Sequence, residues 1–131
     1  MTQPDPVGAP LRVLVVDADE RTGESLSRLL CIGDRCAVVG TASHVAEALA
    51  LVAEFAPDVL VVDLRLPGID AGGPFIARVR ELSPGIRVLA LGASDAAADA
   101  TRLGADAFIR KTFRPRELVD AVLAASGASA T

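Results

Sequence analysis

The stretch PDVLVVDLRLPGIDAGG, residues 57–73, decides how this chain is read. Within it, DVLVV (58–62) is a short, almost wholly apolar run that does not alternate with polar residues. Such a run reads as a strand covered on both faces. It ends in a carboxylate, Asp63, and Pro67-Gly68 and Gly72-Gly73 then punctuate the chain. A buried strand that runs out into acid and then into a loop is a place where an open α/β sheet carries chemistry.

Four more runs of the same kind flank it: LRVLVV (11–16), CAVV (36–39), IRVLAL (86–91) and DAFIR (106–110). The stretches between them have helical spacing. Leu26, Leu29 and Leu30 predict a first helix, and Val45, Leu49, Val52 and Phe55 a second. Phe75, Ile76, Val79 and Leu82 predict a third. Residues 95–103 predict a weaker, Ala-rich fourth, closed by Gly104 at its C-terminal cap. Pro115 suits the first turn of a last helix with Leu118, Val119, Val122 and Leu123 on its apolar face. Strict β/α alternation predicts a single doubly wound, five-stranded parallel sheet with right-handed crossovers. The expected order is 2-1-3-4-5, a flavodoxin-like arrangement, over residues 11–126. Residues 1–10 and 127–131 are expected to be a disordered tail and a frayed one.

That order makes strands 1 and 3 neighbours at the point where the winding reverses. Asp17 ends strand 1 and Asp63 ends strand 3, so two carboxylates are expected to face each other. Close carboxylates repel unless a proton or a cation intervenes. Mg²⁺ suits a sparse oxygen site that keeps its waters. Lys111, after strand 5, offers a second positive charge, and Gly92 follows strand 4.

In its order of motifs the chain resembles the receiver domain of bacterial two-component response regulators, from about Leu11 to Ala125. PDVLVVDLRLPGIDAGG resembles the phosphoacceptor strand and loop of that family, and GADAFIRK (104–111) its fifth strand with the lysine. The resemblance implies that Asp63 is the phosphoacceptor and that Lys111 pairs with Asp63 and then with the phosphoryl oxygens. It also implies that Asp17, Asp63 and the Arg65 backbone carbonyl hold Mg²⁺, and that Phe108 occupies the switch aromatic position. Taken alone, Lys111 also reads as a solvated strand-end lysine and Phe108 as core.

The sequence departs from the family pattern at three places. Ala18 stands where the second acid of the pair, usually the direct metal ligand, is expected, so Mg²⁺ is expected to be weakly bound or absent. Asp19, next along, reads mainly as a loop acid or a cap for the first helix. Gly92 stands where the family carries Thr or Ser, and Ser94 is poorly spaced to replace that hydroxyl. Thr112 follows the lysine where proline is common, and a cis bond before Thr would cost about 3 kcal/mol.

The totals bound the rest. The 131 residues suit one domain, and the core must be Val, Leu, Ile and Ala, since there is no Trp or Tyr and only four Phe. A net charge of −4 without a basic run argues against nucleic acid as partner. No segment is long and apolar enough to span a membrane, and MTQPDPVGAP is not a secretory signal, so a cytoplasmic location is expected. Cys31 and Cys36 are both expected to be buried small hydrophobes, and His44 a solvated first-turn residue after a Ser43 cap.

These readings converge on an atypical, single-domain receiver that is not a conventional enzyme. It is expected to dock through helix 4, strand 5 and helix 5, or through helix 1, with Asp63 weakly phosphorylated or not at all. The expected partners are a histidine kinase or other signalling protein and an unidentified downstream protein, and a weak homodimer stays open. The alternative is an ordinary Mg²⁺-dependent phosphoacceptor. A flavodoxin-like cofactor binder is a distant third, because DADERTGE after strand 1 has one glycine, Gly23, and acids that would repel a phosphate.

Overall fold

A computed structural model describes residues 9–69, 75–111 and 114–127. The elements run β1 (Leu11–Val16), α1 (Glu20–Leu30), a 3-10 turn (Ile32–Asp34), β2 (Cys36–Ala42) and α2 (Val45–Phe55). There follow β3 (Val59–Asp63), α3 (Phe75–Leu82), β4 (Arg87–Gly92), α4 (Ala97–Leu103), β5 (Ala107–Arg110) and α5 (Pro115–Ala125). All five strands pair in parallel in the expected order, β2-β1-β3-β4-β5.

The two-residue period of the central strands builds two cores. Val13, Val15, Val59, Val61, Leu89 and Leu91 face Leu26 and Leu30 of α1 and Leu118 and Val122 of α5. Leu14, Val16, Leu60, Val62 and Val88 face Ala48 and Val52 of α2 and Ile76 and Val79 of α3. All five residues of β3 are buried, which is why its sequence runs apolar without alternation. The edge strands are less covered than the runs predict: β2 and β5 are mostly half-buried. The register slips between Val13 and Leu14, so Val39 is an extra residue on the β2 edge, and β2 extends three residues beyond the expected CAVV.

Local chemistry sets the ends. Asp19 caps α1, its Oδ1 accepting from the N–H groups of Arg21 (2.9 Å) and Thr22 (3.2 Å). Gly104 closes α4 at φ 96, a conformation that favours glycine, and Pro115 opens α5. Two expectations need correction. His44 is itself the cap of α2, not a first-turn residue: its Nδ1 accepts from Glu47 N–H, while Ser43 N–H donates to the Glu47 carboxylate. Cys31 is exposed, because α1 ends there and the chain turns outward; only Cys36 is buried, and burial pushes its thiol pKa up. The expected tails lie almost wholly outside the described residues, as do Gly72-Gly73 and the peptide bond before Thr112.

At the end of the sheet away from the carboxylates, Arg80 ties α3 to β4 and the α4–β5 turn. Its guanidinium donates to the Ile86 carbonyl (3.2 Å), the Gly104 carbonyl (2.6 Å) and Asp106 Oδ2 (3.1 Å). Asp106 Oδ2 also accepts from Val88 N–H at 2.8 Å. Arg80→Met keeps the aliphatic stem and removes every one of these donors. It is predicted to lower stability by about 1–2 kcal/mol, the low part of the range for bonds to charged groups because the side chain is 34% exposed. Urea denaturation checks this; a loss of only a few tenths would show that the network carries no stability.

Candidate functional site

The register between β1 and β3 makes the site. Val16 lies beside Val62, so the next residues, Asp17 and Asp63, come side by side at the carboxyl ends of their strands. Both are buried, at 3% and 2% exposure, and they are the only buried charged residues among those described. Backbone bonds fix them. Asp17 N–H donates to the Ala42 carbonyl at 3.0 Å, and Leu66 N–H donates to the Asp63 carbonyl at 3.0 Å. Each carboxylate also folds the loop that follows it: Asp17 Oδ1 accepts from Asp19 N–H and Asp63 Oδ1 from Arg65 N–H.

Lys111 closes the site from two strands away. Its own N–H donates to the Gly92 carbonyl at 2.9 Å, continuing the ladder past the end of β5. Its ammonium donates to Asp63 Oδ2 and, at 3.1 Å, to Asp17 Oδ2. One cation therefore sits between the two carboxylates that would otherwise repel. Burial alone would raise the Asp63 pKa, but the hydrogen bonds from Lys111 and from Arg65 N–H, with both positive charges, outweigh it and hold the carboxyl below its ordinary range. Burial alone would lower the Lys111 pKa, but its bonds to Asp63 and Asp17 raise it overall.

The carboxylates that a divalent cation would meet are already engaged within the protein. Asp17 and Asp63 each have one oxygen on a backbone N–H and the other on Lys111. Ala18 is exposed and has no side-chain oxygen, and Asp19 Oδ1 is committed to the α1 cap. No group of three or more His, Cys, Asp or Glu side chains among the described residues could hold a metal. The two carboxylates and the Arg65 carbonyl are the protein oxygens that would hold Mg²⁺, an ion commonly bound through one or two carboxylates with several waters kept. The Arg65 side chain is exposed, with its guanidinium 3.9 Å from Asp63 Oδ1.

Gly92 is the last residue of β4, and the space beside it is taken. A Cβ placed on Gly92 would lie 3.0 Å from the Ala96 Cβ, 3.2 Å from Cε1 of Phe108 and 3.4 Å from Cδ1 of Leu64. The Phe108 ring thus packs where a hydroxyl-bearing side chain would project. Phe108 is partly buried, between the core and switch positions expected of it, and Ser94 is exposed. Composition did not announce this contact; β4–β5 pairing, which sets Ala90 beside Phe108, produces it. Beside Asp17 lies a cleft of about 250 Å³ whose lining includes Glu20, Glu24 and Glu47, an acidic surround unsuited to a cofactor phosphate.

Two predictions come from this geometry. Lys111→Met leaves two adjacent buried carboxylates without their cation and is predicted to cost about 3 kcal/mol at neutral pH. Adding Asp63→Asn to that variant removes one charge and is predicted to recover part of the loss, as read by urea denaturation. The Asp63 contribution is present above the ordinary carboxylate range, about pH 4, and is lost as pH falls through its lowered pKa. The Lys111 contribution is present below about pH 10 and is lost as pH rises through its raised pKa. Asp63→Asn should therefore flatten the acid limb; an unchanged limb would exclude the pair as its source. Gly92→Ala is predicted to cost about 1–3 kcal/mol by overpacking and to shift the Phe108 ring resonances in NMR spectra. A neutral effect with unshifted ring resonances would show that the ring does not occupy this space.

Comparison with known proteins agrees with the fold. The family model for the response regulator receiver domain matches residues 13–123. The DNA-binding response regulator MtrA of Mycolicibacterium smegmatis is 37% identical over 117 residues, covering 86% of this chain and 49% of that protein. NarL of Mycobacterium tuberculosis, described as a probable transcriptional regulatory protein, is 36% identical over 126 residues, 94% of this chain and 57% of its own. The chain thus spans about half the length of the curated relatives it matches. The solved signal receiver domain of NarL from Mycobacterium tuberculosis superposes with a TM-score of 0.80 at 35% identity, covering 92% of this chain and 98% of that one. The receiver domain of AraT, a response regulator from Geobacillus stearothermophilus, gives 0.74 at 27% identity, over 89% and 93%. Receiver domains are signalling domains of two-component systems and generally bind Mg²⁺ at the phosphorylation site. With a family match over most of its length, a sheet wound in receiver order and two acids and a lysine gathered at its strand ends, the chain belongs to the response regulator receiver domain family.

Proposed function

We propose that this protein is an atypical receiver that signals mainly by docking on another protein, with Asp63 weakly phosphorylated or not phosphorylated. The observation that carries the reading is the Lys111 ammonium held between Asp17 and Asp63 beside an alanine, Ala18, that offers no metal ligand. The internal cation already offsets part of the charge of the pair that a divalent ion would otherwise bridge. Gly92 adds to this: without a hydroxyl there, a phosphoryl group on Asp63 would lack one hydrogen-bond donor, and the Phe108 ring fills the space. Phosphoryl transfer depends on positioning and on offsetting charge at the equatorial oxygens, so losing a ligand and a donor slows it. A cytoplasmic setting, a kinase or other signalling partner and a protein target belong to this reading. No helix among the described residues is long and apolar enough to cross a membrane.

One observation favours the ordinary reading instead. Asp63 is kept ionised at neutral pH, as a carboxylate nucleophile must be. In that reading an Asp63 oxygen bonds to the phosphorus of a phosphohistidine or acyl phosphate as the bond to the leaving group breaks. Lys111 then turns from Asp63 to the phosphoryl oxygens. The family accommodates both readings.

Intact-mass analysis after incubation with acetyl phosphate, with and without Mg²⁺, separates them. The expected result is little or no adduct on the natural protein, and a Mg²⁺-dependent adduct on Ala18→Asp that disappears when Asp63→Asn is added. Near-complete, Asp63-dependent labelling of the natural protein would overturn the atypical reading and establish the ordinary one.

A further inference from the structure

A groove between the 3-10 turn and α5 combines apolar and basic groups. Its lining includes Ile32, Val119 and Leu123 together with Arg35, Arg114 and Arg116, and its volume is about 560 Å³. Ile32 is 57% exposed, the more exposed of the two large hydrophobic residues left in solvent among those described. The turn that holds it outward has two consecutive residues in the left-handed region, Gly33 at φ 85 and Asp34 at φ 59. The three arginines are exposed, and none of them makes an ion pair with a described residue. One acid, Asp120, shares the lining, so three arginines and one aspartate line this groove on a chain whose net charge is −4.

From this juxtaposition we infer that the groove docks an acidic amphipathic segment of a partner protein, its aliphatic side chains on Ile32, Val119 and Leu123 and its carboxylates on Arg35, Arg114 and Arg116. Charge complementarity selects the partner. Arginine forks bind carboxylates bidentately, and the apolar floor accepts side chains that a phosphate backbone lacks. A second copy of the chain fits poorly, because a twofold contact through this groove would set arginines against arginines. The inference rests on the docking role proposed above but not on the state of Asp63, and the groove shares no residue with the carboxylate site.

Selection of random 16-residue peptides displayed on phage against the full chain tests it. The expected consensus carries Asp or Glu around Leu, Ile or Phe at helical spacing. A synthetic peptide of that consensus should perturb the ¹⁵N–¹H resonances of Ile32, Val119 and Asp120. Its affinity should fall at least about tenfold in the Arg35→Glu, Arg116→Glu double variant and again in Ile32→Ser. A Lys-for-Glu version of the peptide should bind the double variant better than the natural protein. Both variants alter exposed side chains, and unchanged thermal melts would show that they fold. Asp63→Asn should bind the consensus peptide as the natural protein does, so a failed phosphorylation reading and a failed groove are told apart. Basic or charge-independent consensus sequences, resonance shifts confined to other faces, tighter binding of an oligonucleotide at the groove, or concentration-dependent self-association through Ile32 would each overturn the inference.

Discussion

The constraint on which the rest of this structure depends is the complete burial of β3. With every residue of Val59–Asp63 buried, the strand must be apolar on both faces, and its register against β1 and β4 is set by packing on two sides at once. A slip of one residue would exchange the two faces. The last residue of the strand is an acid, so the same constraint that orders the core also buries Asp63 beside Asp17. The site is thus a consequence of core packing at its edge, where an apolar strand has to end.

Burying two carboxylates side by side demands a cation, and the chain supplies its own. Lys111 lies 94 residues from Asp17 and 48 from Asp63, yet its ammonium reaches both. Receivers generally place Mg²⁺ among such groups. In this chain Ala18 withholds the usual second acid, and Asp19 turns to cap α1. The neighbouring departure is steric: Gly92 leaves room that the Phe108 ring fills, so the missing hydroxyl and the placement of the aromatic are one packing event.

Away from the site, irregular structure carries the surface chemistry. The 3-10 turn after α1 leaves no mark in hydrophobic spacing, since three residues of IGD show no period. It nevertheless turns Ile32 to solvent beside the arginines flanking α5 and leaves Cys31 exposed. Similarly, the His44 cap arises because its ring nitrogen and the Glu47 side chain satisfy opposite ends of the same turn, a pairing that one residue's propensity does not reveal.

The sequence by itself determined the five strands and five helices, their parallel winding and the three side chains at the strand ends. These rest on local signals: apolar runs of strand length, helical spacing, and acid or lysine where a run stops. Only the tertiary structure decided that Lys111 spans both carboxylates, that Phe108 occupies the space beside Gly92, that Asp19 turns its Oδ1 to the cap of α1, and that Ile32 shares a groove with Arg114 and Arg116. Each of these is a contact between residues whose separation along the chain has no period, or a choice between two nearby partners. Such contacts are set by strand register and by which hydrogen bond is geometrically closer, and neither is written in the order of residues alone.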